Sequence, residues 1–233
     1  MSIKEIEPTE EMAVFFDARA AGYDDYFRDE IFPGEMFAGF YGALSAPIGE
    51  TDEPLRILDL GCGTGLELEP LFRRAPNARV TGVDLAEKML DLLRRKYSAR
   101  MSQITVVVDS FLTMPLGSQV YDYVLSGNAM HHVLRDTKLE LYKRIHAALK
   151  PGGMYIEGDS VVPPSMEGEF LAEYHQDAAA VPPAPDGTYH LDVPFSLETQ
   201  KSLLLEAGFK DFRLVWQKDP AEVWNLVVYA VTA

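Results

Sequence analysis

Three glycines at alternate positions, Gly61, Gly63 and Gly65, follow the run Ile57-Leu58-Asp59-Leu60 in this chain of 233 residues. An apolar run that enters alternate glycines reads as a buried parallel strand ending in a turn where backbone comes close to a ligand. A helix starting beyond the turn aims its free N–H groups and positive dipole end at the same place. That combination holds a nucleotide-like small molecule. The spacing is not the G-x-G-x-x-G of a dinucleotide cradle, because Leu66 follows Gly65. Asp84 ends a second strand, at the distance where doubly wound folds place an acid that accepts ribose hydroxyls. Its simpler role is to cap the next helix. Asp109, Ser110 and Phe111 end a third strand, where a carboxylate beside an aromatic suits adenine. The alternative there is a plain strand-ending turn.

A second group of residues could act on whatever the first group binds. His131 and His132 follow a fourth strand and could take a proton from a substrate or position it; otherwise they pack the helix that follows. Tyr174, His175, Tyr189 and His190 lie in a stretch marked by prolines at 163, 164, 182, 183, 185 and 194. Such rings could box a cation or stack on a flat substrate, or simply pack a lid. The five histidines show no H-x-x-x-H spacing, so no metal is expected. The single cysteine, Cys62, excludes an intramolecular disulfide and reads as a small buried side chain inside the glycine turn.

The elements that position these residues alternate. Strands are expected at 55–60, Arg79–Asp84, Ile104–Val108, 121–126 and 154–158. Helices are expected at 64–74, 86–96 and 136–149, the last closed by Lys150-Pro151-Gly152-Gly153. This rhythm requires right-handed crossovers and a doubly wound parallel sheet. Near the end, Ser196 caps a helix through Glu206, and Gly208 follows it. Strands 209–216 and 223–231 are separated only by 217–222, too little for a parallel crossover, so they form an antiparallel hairpin. Residues 1–51 read as a helical cap of two or three helices. Residues 162–195 are too long for an ordinary connection and read as a lid or substrate loop. The whole chain, 1–233, reads as one domain. Apolar residues within 36–48 either cover the sheet and cleft or offer a homodimer surface.

The net charge of −15 repels nucleic acid and anionic membranes. The dense basic run, Arg94-Arg95-Lys96, suits the end of a helix. No run approaches the roughly 18 apolar residues of a membrane span. The opening MSIKEIEPTEEM is acidic and lacks an apolar core, so it does not read as a secretory signal, and a cytoplasmic location is the expectation.

Taken in order, ILDLGCGTGLEL, VDLAEKML, VVVDSF, YDYVLSGNAMHHV and LKPGGMYI resemble the class I S-adenosylmethionine-dependent methyltransferases. The N-terminal FFDARAAGYDDYF and the histidine segment look most like the branch acting on small molecules. The resemblance implies an α/β, doubly wound, Rossmann-like sheet of seven strands, mostly parallel with an antiparallel C-terminal strand. It implies S-adenosylmethionine as cofactor and a small-molecule acceptor as substrate. By the same resemblance, Asp59 and the backbone at Gly61 approach the methionine amino group, and Gly61, Cys62, Gly63 and Gly65 form the cofactor loop. Asp84 holds the ribose, with Leu85 and Met89 near the adenine and Asp109, Ser110 and Phe111 around it. Ser126, Gly127 and Asn128 lie by the methionine portion. Arg19 and Tyr23 belong to a segment that closes over the cofactor, with Arg19 placed to pair its carboxylate. Two other readings remain open: a carboxy-S-adenosylmethionine synthase-like enzyme and a non-catalytic S-adenosylmethionine binder.

Overall fold

The computed structural model describes residues 9–233. Residues 1–8, most of the acidic opening stretch, lie outside the described part. Helices come first: α1 (Met12–Arg19), α2 (Tyr23–Tyr26) running into a π-helical turn at Phe27–Ile31, and α3 (Glu35–Ser45). The sheet then alternates with helices through β1 (Arg56–Leu60), α4 (Leu68–Arg74), β2 (Arg79–Asp84), α5 (Glu87–Lys96), β3 (Ile104–Val108), β4 (Tyr121–Gly127), α6 (Arg135–Ala148) and β5 (Leu149–Val161). The chain ends with α7 (Glu167–Ala178), α8 (Leu197–Glu206), β6 (Lys210–Gln217) and β7 (Asn225–Thr232). The seven strands lie in the order β3-β2-β1-β4-β5-β7-β6. β1 to β5 are mutually parallel, and β7 runs antiparallel to both β5 and β6. This is the doubly wound sheet that the alternation requires, closed by the expected hairpin.

Period-two alternation splits the core into two layers. Ile57, Leu125, Ile156 and Val228 face α3, α4 and α5, with Phe40, Leu44, Leu71, Leu90 and Leu93. Their neighbours Leu58, Val124, Tyr155, Val227 and Tyr229 face α6 and α8, with Leu141, Tyr142, Ile145, Leu203 and Leu204. α5 buries Met89, Leu90 and Leu93 on one side and carries Glu87 in its first turn and Arg94, Arg95 and Lys96 in its last, so its charges oppose its dipole. Ser196 Oγ accepts the Thr199 N–H at the start of α8, and Gly208 adopts φ +107° just past its end.

Two expectations need correction, and one pair of alternatives is resolved. The first helix of the sheet begins at Leu68 rather than residue 64, because Gly63 and Gly65 both take positive φ and keep the turn open for longer. The fifth strand is longer than 154–158. Pairing with β4 begins at Leu149 and resumes at Met154, so Pro151-Gly152-Gly153 is an irregularity within the strand rather than a loop that closes α6. A Cβ on Gly153 would lie 2.9 Å from the Lys150 carbonyl oxygen and 3.0 Å from that of Asp122, so this crossing of backbones needs glycine. Finally, Phe40, Leu44 and Ile48 are fully buried, so the 36–48 segment covers the sheet and does not present those side chains to a second copy. Among the described residues, no helix is long and apolar enough to cross a membrane.

Candidate functional site

Strand order reverses between β1 and β4, and the main cleft opens beyond their C-terminal ends, where doubly wound sheets bind ligands. Its lining borders about 660 Å³ of empty space that runs out into solvent. Its floor is the glycine turn. Gly61 has φ +72°, and a Cβ there would lie 2.5 Å from Ala129 Cβ, so the β1 turn passes directly beneath the loop after β4. Gly63 has φ +46° and would direct a Cβ into open space, with nothing within 4 Å. Gly65 is different. A Cβ would meet Leu68 Cδ1 at 2.9 Å, and Tyr97 donates a hydrogen bond to the Gly65 carbonyl at 2.7 Å. The third glycine therefore serves packing and does not line the cleft. Cys62, expected among the cofactor residues, is buried and turns its sulfur toward Gly82 on β2, away from the cleft.

One wall is built by Asp84, Leu85 and Met89, with Ser110 and Phe111 beside them. Asp84 combines the two roles read from the sequence. Its Oδ1 accepts the Ala86 N–H at 2.8 Å as α5 begins, and its Oδ2 accepts the Gly63 N–H at 2.8 Å, pinning the glycine turn. An ionised carboxylate has about four lone-pair sites, so two remain for a ligand. Burial raises its pKa, and the backbone N–H groups oppose that rise. Asp109 is exposed, accepts the Ser110 N–H at 2.7 Å, and does not line the cleft. The opposite wall comes from Met12, Phe16 and Tyr23 of the N-terminal helices.

Beneath the turn lies a set of polar atoms short of partners. Both oxygens of Asp59, Oε1 of Glu67 and Nδ2 of Asn128 are buried, and the two carboxyls have only each other as side-chain partners. The Asp59 and Glu67 carboxyls stand together, and burial raises the pKa of each. Asn128 holds a left-handed φ of +53° at the end of β4. Ser126, expected beside it, is buried and donates to the Leu60 carbonyl at 3.1 Å, joining β4 to β1 below the cleft. Arg19 is also displaced from its expected place. It pairs with Glu10 at 3.0 Å, lies 3.6 Å over the Phe15 ring, and lines a neighbouring outer recess.

The far end of the cleft is a histidine cluster. His131 Nδ1 lies 2.5 Å from Asp159 Oδ1, while Asp159 Oδ2 accepts the backbone N–H groups of Met130 and His131 at 2.7 and 3.0 Å. Burial works to lower the His131 pKa, but the Asp159 carboxylate overrides it and raises it. His132 lines the cleft and is held neutral, because burial and the adjacent His131 lower its pKa. Its ring lies 3.9 Å from that of His131, and its Nδ1 is 3.0 Å from Asp192 Oδ1 and 3.2 Å from the Leu191 carbonyl. His190 stacks on Phe15 at 3.5 Å, and burial pushes its pKa down to about 4. Under Asp159, the Tyr142, Tyr155 and Tyr229 hydroxyls all donate to buried Glu157, which fixes β5.

Residues 162–195 reach this end of the cleft through backbone. Val193 N–H donates to the His131 carbonyl at 2.7 Å, His190 N–H to that of Glu10 at 3.0 Å, and Met12 N–H to that of Thr188 at 2.8 Å. Tyr174 donates to Asp186 at 3.0 Å, and it lines the outer recess with His190. Tyr189 borders a separate proline-lined hollow. His175 is exposed on α7 and lines none of these spaces. Asp159, Asp192, Glu67 and Phe16 were not anticipated as site residues. Asp159 carried a signal, since it is an acid near the end of a strand, as Asp84 is.

A family model described as a methyltransferase domain matches residues 57–153, the span from β1 into β5. Residues 57–153 thus carry a methyltransferase domain. A demethylmenaquinone methyltransferase of Symbiobacterium thermophilum is 37% identical over 105 residues, covering 43% of this chain and 40% of that protein. The biotin biosynthesis bifunctional protein BioHC of Teredinibacter turnerae is 26% identical over 202 residues, covering 84% of this chain and 32% of its own length. The chain thus matches well under half the length of these two relatives. In fold, it is similar to phosphoethanolamine N-methyltransferase 2 of Haemonchus contortus in complex with S-adenosyl-L-methionine. That similarity has a TM-score of 0.68 and 21% identity, and it covers 93% of this chain and 57% of that one.

The family's cofactor is S-adenosylmethionine, and the residues present fit it. Two carboxyls with only each other as side-chain partners, and a buried amide, suit its ammonium and carboxylate, since under-satisfied buried polar atoms are costly. Free lone pairs on Asp84 suit a ribose, and Leu85, Met89 and Phe111 suit a purine.

Proposed function

We propose that this chain transfers the methyl group of S-adenosylmethionine to a small-molecule acceptor held at the histidine end of the cleft. The observation that carries the reading is one continuous cleft lined by Gly61, Gly63 and Asp84 at one end and by His132 at the other. Bound there, the sulfonium supplies an electrophilic methyl group, and transfer is an in-line displacement that needs alignment and dryness more than acid–base help. The chain's residues divide that work. Asp84 accepts the ribose hydroxyls, and Asp59 with Glu67 receives the ammonium. Leu85, Met89 and Phe111 flank the adenine. Phe16 and Tyr23 close the other wall and exclude water. His131, oriented by Asp159, and His132 hold the acceptor's reacting atom and govern its proton. Residues 162–195 act as the lid, joined to the N-terminal cap by the Met12–Thr188 and His190–Glu10 hydrogen bonds.

The test is a screen of small-molecule acceptors, read as S-adenosylhomocysteine release by the full chain. Release that depends on one acceptor class supports the reading. Donor binding with no release for any acceptor would favour the non-catalytic alternative, and a carboxylated donor as product would favour the synthase.

A further inference from the structure

We propose that His131, His132 and Asp192 form a binding site for one divalent transition-metal ion, with zinc the best-matched, at the junction of the main cleft and the outer recess. The three side chains each offer one donor atom, and these lie within 4.8 Å of one another. Asp192 Oδ1 is 3.0 Å from His132 Nδ1 and 3.8 Å from His131 Nε2. Ligand atoms about 2 Å from a tetrahedral ion stand a little over 3 Å apart, so small rotations would close the set. Two imidazoles and one carboxylate are the donors borderline ions prefer, and three protein ligands leave a fourth position open.

The second observation is the support behind the ligands. His131 Nδ1 is bound by Asp159, which is itself fully buried and fixed by three backbone N–H groups, those of Met130, His131 and Ser160. Metal-binding histidines characteristically give their other ring nitrogen to such a carboxylate, which fixes the tautomer and aims the free nitrogen. Here the free nitrogen, Nε2, is the one facing Asp192. In the ion-free chain, His132 Nδ1–H is placed to donate to Asp192 and the Leu191 carbonyl; an ion takes that proton's place, the exchange that accompanies metal binding to histidine. No H-x-x-x-H spacing reveals the set, because Asp192 arrives from the 162–195 segment, tied in by the Val193–His131 hydrogen bond.

His132 faces the main cleft and Asp192 the outer recess, so the open position points to where an acceptor meets the methyl donor. The ligand class for that position is an oxygen-bearing acceptor, a hydroxyl or carboxylate compound. This last assignment rests on the methyltransferase reading; the ion site itself rests on geometry alone.

The test strips the full chain with a chelator and titrates it with zinc by calorimetry, then repeats the titration with cobalt(II) while following its visible absorption. The expected result is one ion per chain and a cobalt spectrum of low coordination number. His132→Ala and Asp192→Ala should each weaken the affinity at least about tenfold, and Asp159→Asn should weaken it about 10- to 100-fold. His175→Ala, outside the cluster, should leave it unchanged. Asp192 is half exposed, so Asp192→Ala keeps a folded protein even if the buried variants do not. Absence of stoichiometric binding, or binding that survives Asp192→Ala, overturns the proposal. The same preparations are titrated with S-adenosylmethionine. Donor binding without zinc binding removes the ion and leaves the methyltransferase reading; zinc binding without donor binding does the reverse.

Discussion

The two ends of the cleft are built in different ways. Most of the donor end comes from one stretch of chain, from Asp59 to Phe111, with Asn128 and the Phe16–Tyr23 wall added from outside it, and much of its work is done by backbone: the glycine turn, the Gly63 and Ala86 N–H groups, and one carboxylate that organises them. The histidine end is assembled from side chains of the loop after β4, the end of β5 and the 162–195 segment, with Asp159 as its anchor. Backbone recognition is rigid and tolerant of side-chain identity, which suits a common donor. Side-chain recognition from distant segments can be rebuilt piece by piece, which suits an acceptor that differs among relatives. On this account the ends are separable: damage at one should change donor affinity, and damage at the other should change turnover.

The largest effect expected is on turnover. His131→Ala and Asp159→Asn should each reduce it by about 100-fold or more, while donor affinity by calorimetry stays within about threefold. Equal loss of both quantities would reassign His131 to packing or donor binding. Next is Asp84→Ala, which frees two backbone N–H groups and removes the proposed ribose acceptor. Donor affinity should fall about 100-fold, since hydrogen bonds to charged groups contribute about 1.5–3 kcal/mol each.

A glycine pair sharpens the contrast within the donor end. Gly61→Ala forces a Cβ to 2.5 Å from Ala129 at a left-handed φ, and should lower the melting temperature with a loss of about 2 kcal/mol or more. Gly63→Ala meets no protein atom, so it should cost only about 1 kcal/mol of backbone strain while weakening the donor through lost space.

The smallest effect is a pH dependence. The folded pKa values of Asp59 and Glu67 are raised by burial, so the donor-free fold favours their protonated forms. Their contribution to stability is present at low pH and is lost as pH rises from the ordinary carboxylate range, about 4, toward the raised folded values. An ammonium between them needs the ionised form. Thermal stabilisation by the donor should therefore grow with pH across that window, and calorimetry in two buffers of different ionisation enthalpy should show proton release.

The donor end was legible in the sequence because its determinants are local. Alternating β-branched residues set Arg79–Asp84 and Ile104–Val108 to the residue, and Asp84, the acid that ends the first of them, marked the cleft wall. Local reading failed where tertiary contacts gave a familiar residue another task. Gly65 makes room for Leu68 and Tyr97, Cys62 packs against Gly82, and Ser126 ties two strands together. The long β5 was missed because Pro151-Gly152-Gly153 looks like an ending, whereas the strand bends there and keeps pairing with β4. At the other end, His131 and His132 were visible as candidates. Asp159 carried only the signal of an acid near a strand end, and Asp192 carried none, since only the folded chain brings the 162–195 segment beside β5.

The separation of the two ends presupposes that the donor end binds S-adenosylmethionine, and calorimetric titration of the full chain with the donor and with S-adenosylhomocysteine tests that directly. The unaltered chain should bind the donor at micromolar concentration, Asp84→Ala should weaken that binding severely, and His131→Ala should leave it near normal. No heat and no thermal shift with either compound would contradict donor binding.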